Sequence, residues 1–405
     1  MKLFKKLLAM ILALGCVVAI TACGETSEEE LNTNLEGIAF EYKVEEADNN
    51  EGYIVITGLY LSDKEKDSLG KATFTASHDL KINKEEGIKV VARDKETNEV
   101  LYVDNKLDSK TIKVNDVVKE VKIIGFKIAE SAFANHTIIK SVALDNTVVE
   151  IGAGAFAGCS NIETMELPFI GESADNNVNA KKTFGHLFGT VAADGCTSIT
   201  SNYNSSSTAT WYAPNALTEV TVNYTTENAS LPEYAFNKVT TLEKVTVNGV
   251  VSIGKNAFEG CTSLYEVALP ATATTIGKSA FSGCSKLINI DLSNVKVIYQ
   301  SAFSGCAKLG YKATKALDLT GKTIYEGAFA SCTSLESIKI DGLIDGFELT
   351  GAIFNGCSSL KTVNGIEYSE KAPEKGEGQE QQPKAWHFDD NGNIVLWKTQ
   401  EETNN

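Results

Sequence analysis

Cysteine recurs in this chain in a single frame. Phe156 and Cys159, Phe258 and Cys261, Phe281 and Cys284, Phe303 and Cys306, Phe329 and Cys332, and Phe354 and Cys357 all share a three-residue offset. A thiol can pair in a disulfide, ligate a metal, act as a nucleophile or fill a small buried space. Apart from Cys16 and Cys23, seven cysteines remain, Cys196 being the seventh, and an odd number cannot all pair within one chain. If each repeat is one coil of a stacked structure, the thiols form a column spaced by about 4.8 Å. Parallel side chains in such a column are poorly aimed for disulfides, and they cannot converge four at a time on zinc. The expected role is that of a small buried hydrophobe.

Other candidate chemistry is thin. His78, His136, His186 and His387 are scattered and form no metal-ligand spacing such as HExxH. Asp389-Asp390-Asn391-Gly392-Asn393 has its glycine in the fourth place where a calcium loop needs it in the sixth, so a tight turn is the better reading. Ser68-Leu69-Gly70-Lys71 matches S-x-x-K without its partner elements, and Gly321-Lys322-Thr323 is only a fragment of a phosphate loop. The sequence therefore predicts no catalytic residue, no metal site and no cofactor. A net charge of -16 with one arginine, Arg93, also excludes a nucleic-acid ligand, which needs a basic face.

The elements that carry the cysteines form a repeat. Its pattern is Ile-Gly-x-x-Ala-Phe-x-x-Cys-x-x-Leu-x-x-Ile-x-Leu-Pro, with Phe at 133, 156, 236, 258, 281, 303, 329 and 354. Most of the gaps are near 23 residues, with one of 80. The L-x-x-I-x-L segment alternates apolar and polar residues at period two, as a strand with one buried face does. The glycine of Ile-Gly is expected to turn the corner in a conformation closed to other residues, and the Phe to fill the space between coils. In the Phe303 unit an insertion moves the strand to Leu317 and Leu319. One coil cannot bury its own edges, so the coils must stack.

The AFxxC, GCxSL and IxLP elements resemble the BspA-like class of bacterial leucine-rich repeats. That resemblance implies a β-rich solenoid, a rod of about nine coils of about 23 residues with one strand per coil. It also accounts for the long gap, because PFIGES, FGHLFG and WYAPNALTEVTV are similar to an enlarged repeat of this family, here spanning 168–222. Within that repeat Cys196 is expected to restore the cysteine turn, and Leu217, Val220 and Val222 the strand.

The solenoid is expected over 111–368. Before it, 35–110 reads as a β-rich N-terminal cap, which the resemblance favours, or as a separate small β domain. After it come a linker at 369–384 and a hairpin with a tail at 385–405, turning at Asn391-Gly392. The first 22 residues, with Lys2, Lys5 and Lys6 ahead of an apolar run, read as a signal peptide. Together with Ala22-Cys23 they resemble a bacterial lipoprotein signal, which implies lipid on Cys23. An ordinary secretory signal is the alternative. The acidic stretch 23–34 would then be a tether, and loss of the signal takes the net charge from -16 to -19. Membrane contact is expected through the lipid alone, at the outer face of the cytoplasmic membrane or the cell surface.

Function is then sought on surfaces. The residues between the buried strand positions, Thr164, Glu166, Glu219, Thr221, Lys244, Thr246, Glu266, Asn289, Asp291, Ser337 and Lys339, form a candidate binding face. In the insertion, Tyr203, Trp211 and Tyr212 stand beside Ser- and Asn-rich sequence, a composition that suits recognition, while the family resemblance implies that several of these aromatics also build the enlarged coil. The expected function is that of a monomeric, non-catalytic adhesin or recognition scaffold engaging host extracellular matrix or cell-surface proteins, or other bacterial cells. Glycan binding, with Trp211 as a platform, and a structural envelope role are the alternatives.

Overall fold

The computed structural model describes residues 39–60, 78–82, 90–93, 100–103, 110–114, 117–174, 180–341, 348–349, 351–374 and 384–397. The expected signal peptide, Cys23 and its lipid, the tether, Ser68-Lys71, part of the linker and the tail lie outside these residues. The chain divides into two compact units. The first comprises Met1–Asp175, Phe184–Ile199 and Thr210–Thr225, and the second comprises Asn176–Thr183, Thr200–Ala209 and Thr226–Asn405.

In the first unit β1 (Ala39–Glu46), β2 (Glu51–Tyr60), β3 (His78–Ile82), β4 (Val90–Arg93), β5 (Val100–Val103), β6 (Lys110–Val114) and β7 (Val117–Ile128) precede the repeats. Strands β1, β2, β7 and β6 lie side by side in that order, with β2 and β7 parallel. The repeats follow with β8 (Ile139–Leu144), β9 (Val148–Ile151) and β10 (Thr164–Leu167). The enlarged repeat supplies β11 (Cys196–Asn202), β12 (Thr208–Pro214) and β13 (Glu219–Asn223). Here β3, β8, β10 and β13 form one parallel run, in which Met165 faces Val142 on one side and Val220 on the other.

The second unit has two parallel ladders. One joins β14 (Ala229–Leu231), β16 (Val250–Ile253), β18 (Thr275–Ile276), β20 (Val297–Ile298) and β22 (Thr323–Ile324). The other runs through β15 (Lys244–Asn248), β17 (Glu266–Ala268) and β19 (Asn289–Ile290), where it stops. It resumes as β21 (Leu317–Asp318), β23 (Ser337–Lys339) and β25 (Thr362–Val363). To that run are added β24 (Glu348–Leu349), β26 (Ile366–Tyr368) and the hairpin of β27 (Ala385–Phe388) and β28 (Ile394–Leu396), whose turn holds Gly392 at φ 76°. The solenoid has about ten turns of parallel strands at a spacing of about 23 residues.

Side-chain period explains the stacking. Val245, Val267, Ile290 and Ile338 point inward, and the repeat phenylalanines pile up beside them. Phe258, Phe281, Phe303 and Phe329 stack with centroids 5.0, 5.2 and 5.1 Å apart and planes within 10°. The N–H groups of Phe258, Phe281 and Phe303 donate to the Ala280, Ala302 and Ala328 carbonyls of the next coil, all at 2.7 Å, and that of Phe329 donates to the Ile353 carbonyl at 2.9 Å. Backbone and ring are thereby satisfied by the same neighbour.

Two expectations about this turn are corrected. The glycine of Ile-Gly does not adopt a left-handed conformation; it permits a close approach. A Cβ on Gly277 would lie 2.7 Å from the Ile253 carbonyl oxygen of the preceding coil. The left-handed positions instead flank each Phe by two residues, Ser279 (φ 54°) and Gly283 (φ 74°) around Phe281. In the enlarged repeat the role of the Phe passes to Phe188, for the Phe156 N–H donates to the Leu187 carbonyl at 2.8 Å. Cys196 departs from the column, lying half-buried at the start of β11.

Candidate functional site

The thiol frame is the first candidate. Cys159, Cys261, Cys284, Cys306, Cys332 and Cys357 are free and buried. Each donates from Sγ to the carbonyl of the Phe one coil earlier: Cys159 to Phe133 at 2.9 Å, Cys261 to Phe236 at 3.0 Å, and Cys284, Cys306 and Cys357 to Phe258, Phe281 and Phe329 at 3.1 Å. Cys332 does so to Phe303 at 3.3 Å. The thiol is thus a buried donor as well as the small hydrophobe expected from sequence. Burial pushes the thiols of Cys159, Cys261 and Cys306 up to about 12, and that of Cys284 well above its usual value. A thiol so held stays protonated at neutral pH and supplies no nucleophile.

The other sequence candidates resolve into structural parts. Lys322 Nζ donates to the carbonyls of Leu292 and Val295 at 2.8 and 2.9 Å, clasping the turn after β19. Asp389 accepts the N–H groups of Asn391 and Asn393 at 2.9 and 2.8 Å, which makes it a turn cap. His136 is held down to about 4 by burial alone, so its ring is neutral at neutral pH. His186 Nε2 lies 2.9 Å from the Ile151 carbonyl oxygen, and the His387 ring stacks on Trp397. Among the described residues no group of three or more His, Cys, Asp or Glu could hold a metal ion.

Of the insertion residues, Trp211 is a correction. It is 3% exposed, with its ring stacked on Phe188 at 5.9 Å and edge-on to Phe184 at 6.2 Å. Gly185 lies beneath it, where a Cβ would come within 2.5 Å of the ring. The enlarged coil needs a lid over its two phenylalanines, and the tryptophan supplies it. Tyr203 and Tyr212 are half-buried.

The strand face is ordered as the repeat implies. In the first unit Thr164 stands opposite Glu219 and Glu166 opposite Thr221, and Asn223 Nδ2 donates to Glu166 Oε1 at 2.7 Å. In the second, Lys244, Glu266 and Asn289 occupy successive strands in register, with Thr246 opposite Ala268. Further along, Ser337 Oγ meets Thr362 Oγ1 at 2.6 Å, and Lys339 stands opposite Asp318. Thr164, Glu166, Glu266, Asn289, Asp291 and Lys339 are exposed, while Glu219, Thr221, Lys244, Thr246 and Ser337 are intermediate.

A notch that the sequence did not reveal interrupts this face. The insertion after Leu309 delays the strand to Leu317, so that β19 and β21 are not paired. A cavity of about 410 Å³ opens there, lined among others by Asn289, Ile290, Asp291, Leu317, Asp318 and Ser337. The Ser293 N–H holds Asp291 at 2.9 Å and the Thr320 side chain and N–H hold Asp318, keeping both carboxyls below their usual pKa. The inward column loosens toward the notch, since Val245 is 0% exposed, Val267 4% and Ile290 9%, whereas Ile338 beyond it is 0%.

Comparison with known proteins follows the same frame. Residues 116–184, 204–316 and 229–361 match the BspA type leucine-rich repeat region, in six copies. No curated protein matches the chain. A solved leucine-rich repeat protein of T. pallidum is 26% identical over 36% of this chain and 69% of its own, with a TM-score of 0.31. A leucine-rich cell surface protein from Faecalibacterium prausnitzii A2-165 is 19% identical, covering 82% of this chain and 94% of its own, with a TM-score of 0.25. A leucine-rich repeat protein from Bacteroides ovatus ATCC 8483 is 15% identical, covering 81% and 94%, with a TM-score of 0.23.

Proposed function

Because the chain belongs to the BspA type leucine-rich repeat family, we propose that it is a non-catalytic recognition scaffold of the cell surface, engaging a protein partner through its strand face. The observation that carries this reading is the register. Side chains of mixed charge stand in file on parallel strands, outward of a core that fixes their spacing. Such a face offers many contacts without reorganisation, which lowers the cost of binding. The partners that fit are host extracellular matrix or cell-surface proteins, or proteins of other bacterial cells. Lipid on Cys23 would hold the scaffold at the membrane, and the acidic body would stay clear of anionic headgroups. An array of purified matrix proteins probed with the full chain tests the reading, and silence across such an array and across bacterial surface extracts would refute it.

A glycan-binding reading keeps one observation in its favour. Its platform is not Trp211, which is buried, but the exposed pair Tyr299 and Tyr325, stacked at 5.0 Å with planes 10° apart. Retention by a glycan array, lost with Tyr299→Ala, would select it.

A further inference from the structure

We propose that Lys286, Lys308 and Lys312 form a cationic track that holds a linear anionic glycan, one carrying sulfate or phosphate groups along its chain. This goes beyond the protein partner proposed above, and it uses neither the strand face nor the pair Tyr299 and Tyr325.

The net charge conceals the track. Residues 267–325 hold seven lysines against two aspartates, a local charge of +5 in a chain of -16, so the remainder carries -21. The repeat frame brings three of those lysines together. Lys286 and Lys308 each lie five residues after a repeat phenylalanine, Phe281 and Phe303, whose rings stack 5.2 Å apart, so the two lysines stand in file one coil apart. Lys312, on the insertion, shares Tyr311 with Lys308: their Nζ atoms lie 5.2 and 4.4 Å from the centroid of that ring. Tyr311 is 43% exposed, and all three lysines are exposed. A ring so placed holds two like charges side by side at the surface.

These cations are unanswered. Among the described residues none of the three lies in an ion pair. The carboxylates of the adjoining strands have lysines of their own. Glu266 stands opposite Lys244 and Asp318 opposite Lys339, Glu336 is paired with Lys361 at 2.8 Å, and Lys322 Nζ is held on the Leu292 carbonyl beside Asp291. The track therefore keeps its charge for an anion from outside.

A slender chain suits it. The carbonyls of Ile288 and Ala307, beside the lysines, already accept the Gly310 and Ser334 N–H groups at 2.9 and 3.0 Å, so the site presents ammonium groups rather than backbone. Single-stranded nucleic acid depends on stacked bases as well as charge, and the Tyr311 ring is engaged by the two lysines. The acidic remainder is screened beyond about 8 Å at physiological ionic strength. A thin polyanion following the track thus meets lysines alone, whereas a broad acidic partner would also meet the repelling surface around them.

A fluorescein-labelled heparin decasaccharide and a labelled glycerol phosphate decamer, each titrated into the full chain by anisotropy, test this and distinguish a sulfated from a phosphate-bearing source. The structure predicts saturable binding of at least one, with log affinity falling against log salt at a slope of about -2 to -3, as three lysine contacts require. Lys286→Gln/Lys308→Gln/Lys312→Gln should weaken that binding by about tenfold or more and flatten the slope. Lys43→Gln/Lys140→Gln/Lys371→Gln, the same change of charge at exposed lysines elsewhere, should bind as the unaltered chain does. Binding of neither glycan, an unchanged track variant, or equally tight binding of a glutamate decapeptide or a deoxythymidine decamer would overturn the proposal.

Discussion

The Sγ of Cys284 donates to the carbonyl oxygen of Phe258 one coil earlier, at 3.1 Å, and the same oxygen accepts the Cys261 N–H at 3.1 Å. Two acceptor sites of one buried carbonyl are thereby filled, one from within its own turn and one from the next coil. The repeat cysteine is thus a cross-coil fastening.

That geometry ranks substitutions. In a Cys16→Ala/Cys23→Ala background, Cys284→Ala should lower stability by about 1 to 2 kcal/mol, from a lost donor and a small void. Cys284→Ser keeps a donor at the site and should lose less. Urea unfolding midpoints check the order; if the alanine variant is as stable as the serine one, the thiol is only a filler.

The same column should be chemically silent. In that background a thiol reagent at neutral pH should modify Cys196 in the native protein and all seven cysteines after denaturation, since the other six are buried, and burial raises the thiols of Cys159, Cys261 and Cys306 to about 12. Rapid native modification of more than one thiol would contradict the buried column.

Ring stacking gives a graded series. Phe281 lies between Phe258 at 5.0 Å and Phe303 at 5.2 Å, whereas Phe354 stacks on Phe329 at 5.6 Å. Phe281→Ala should cost about 3 to 5 kcal/mol, and Phe354→Ala should fall at the lower end of that range or below it. Calorimetry reads the difference, and equal costs would show that the stack does not couple neighbouring coils.

His136 sets a pH dependence. Its folded-state pKa is depressed from 6.5 to about 4, so between these values the unfolded chain binds more protons. Stability should fall as pH drops through that window, by on the order of 2 to 3 kcal/mol near pH 4, and His136→Phe should remove that part of the slope. Unfolding midpoints from pH 4 to 8 decide it; an unchanged slope in the variant would assign the dependence to other groups.

Glycine and serine around Phe281 exchange their usual roles. Gly277→Ala drives a Cβ against the Ile253 carbonyl oxygen and should cost about 1 to 3 kcal/mol. Ser279→Gly relieves a φ of 54° and should be neutral or stabilising by up to about 1 kcal/mol. Thermal melts that reverse this order would refute the close-approach account of Ile-Gly.

Much of the architecture was legible because period two and a 23-residue frame leave few ways to bury Phe281, Leu287 and Ile290 together. The delayed strand at Leu317 was legible too. What that delay opened was not, because the notch depends on β20 and β22 staying paired behind it, a relation between coils that no single repeat encodes. Trp211 misled because an aromatic among serines and asparagines reads as surface until Phe184 and Phe188 are seen to need a cover. The Cys284 hydrogen bond was hidden for a related reason: its acceptor belongs to Phe258, 26 residues earlier.

The most direct test of the central claim reverses the face without touching the core. Lys244→Glu/Glu266→Lys/Lys339→Glu alters three outward side chains on three strands. Retention on the matrix-protein array, measured beside the melting temperature, should fall at least about tenfold while the melt stays within about 2 °C of the unaltered chain. Undiminished retention by a folded variant would show that recognition does not use the strand face.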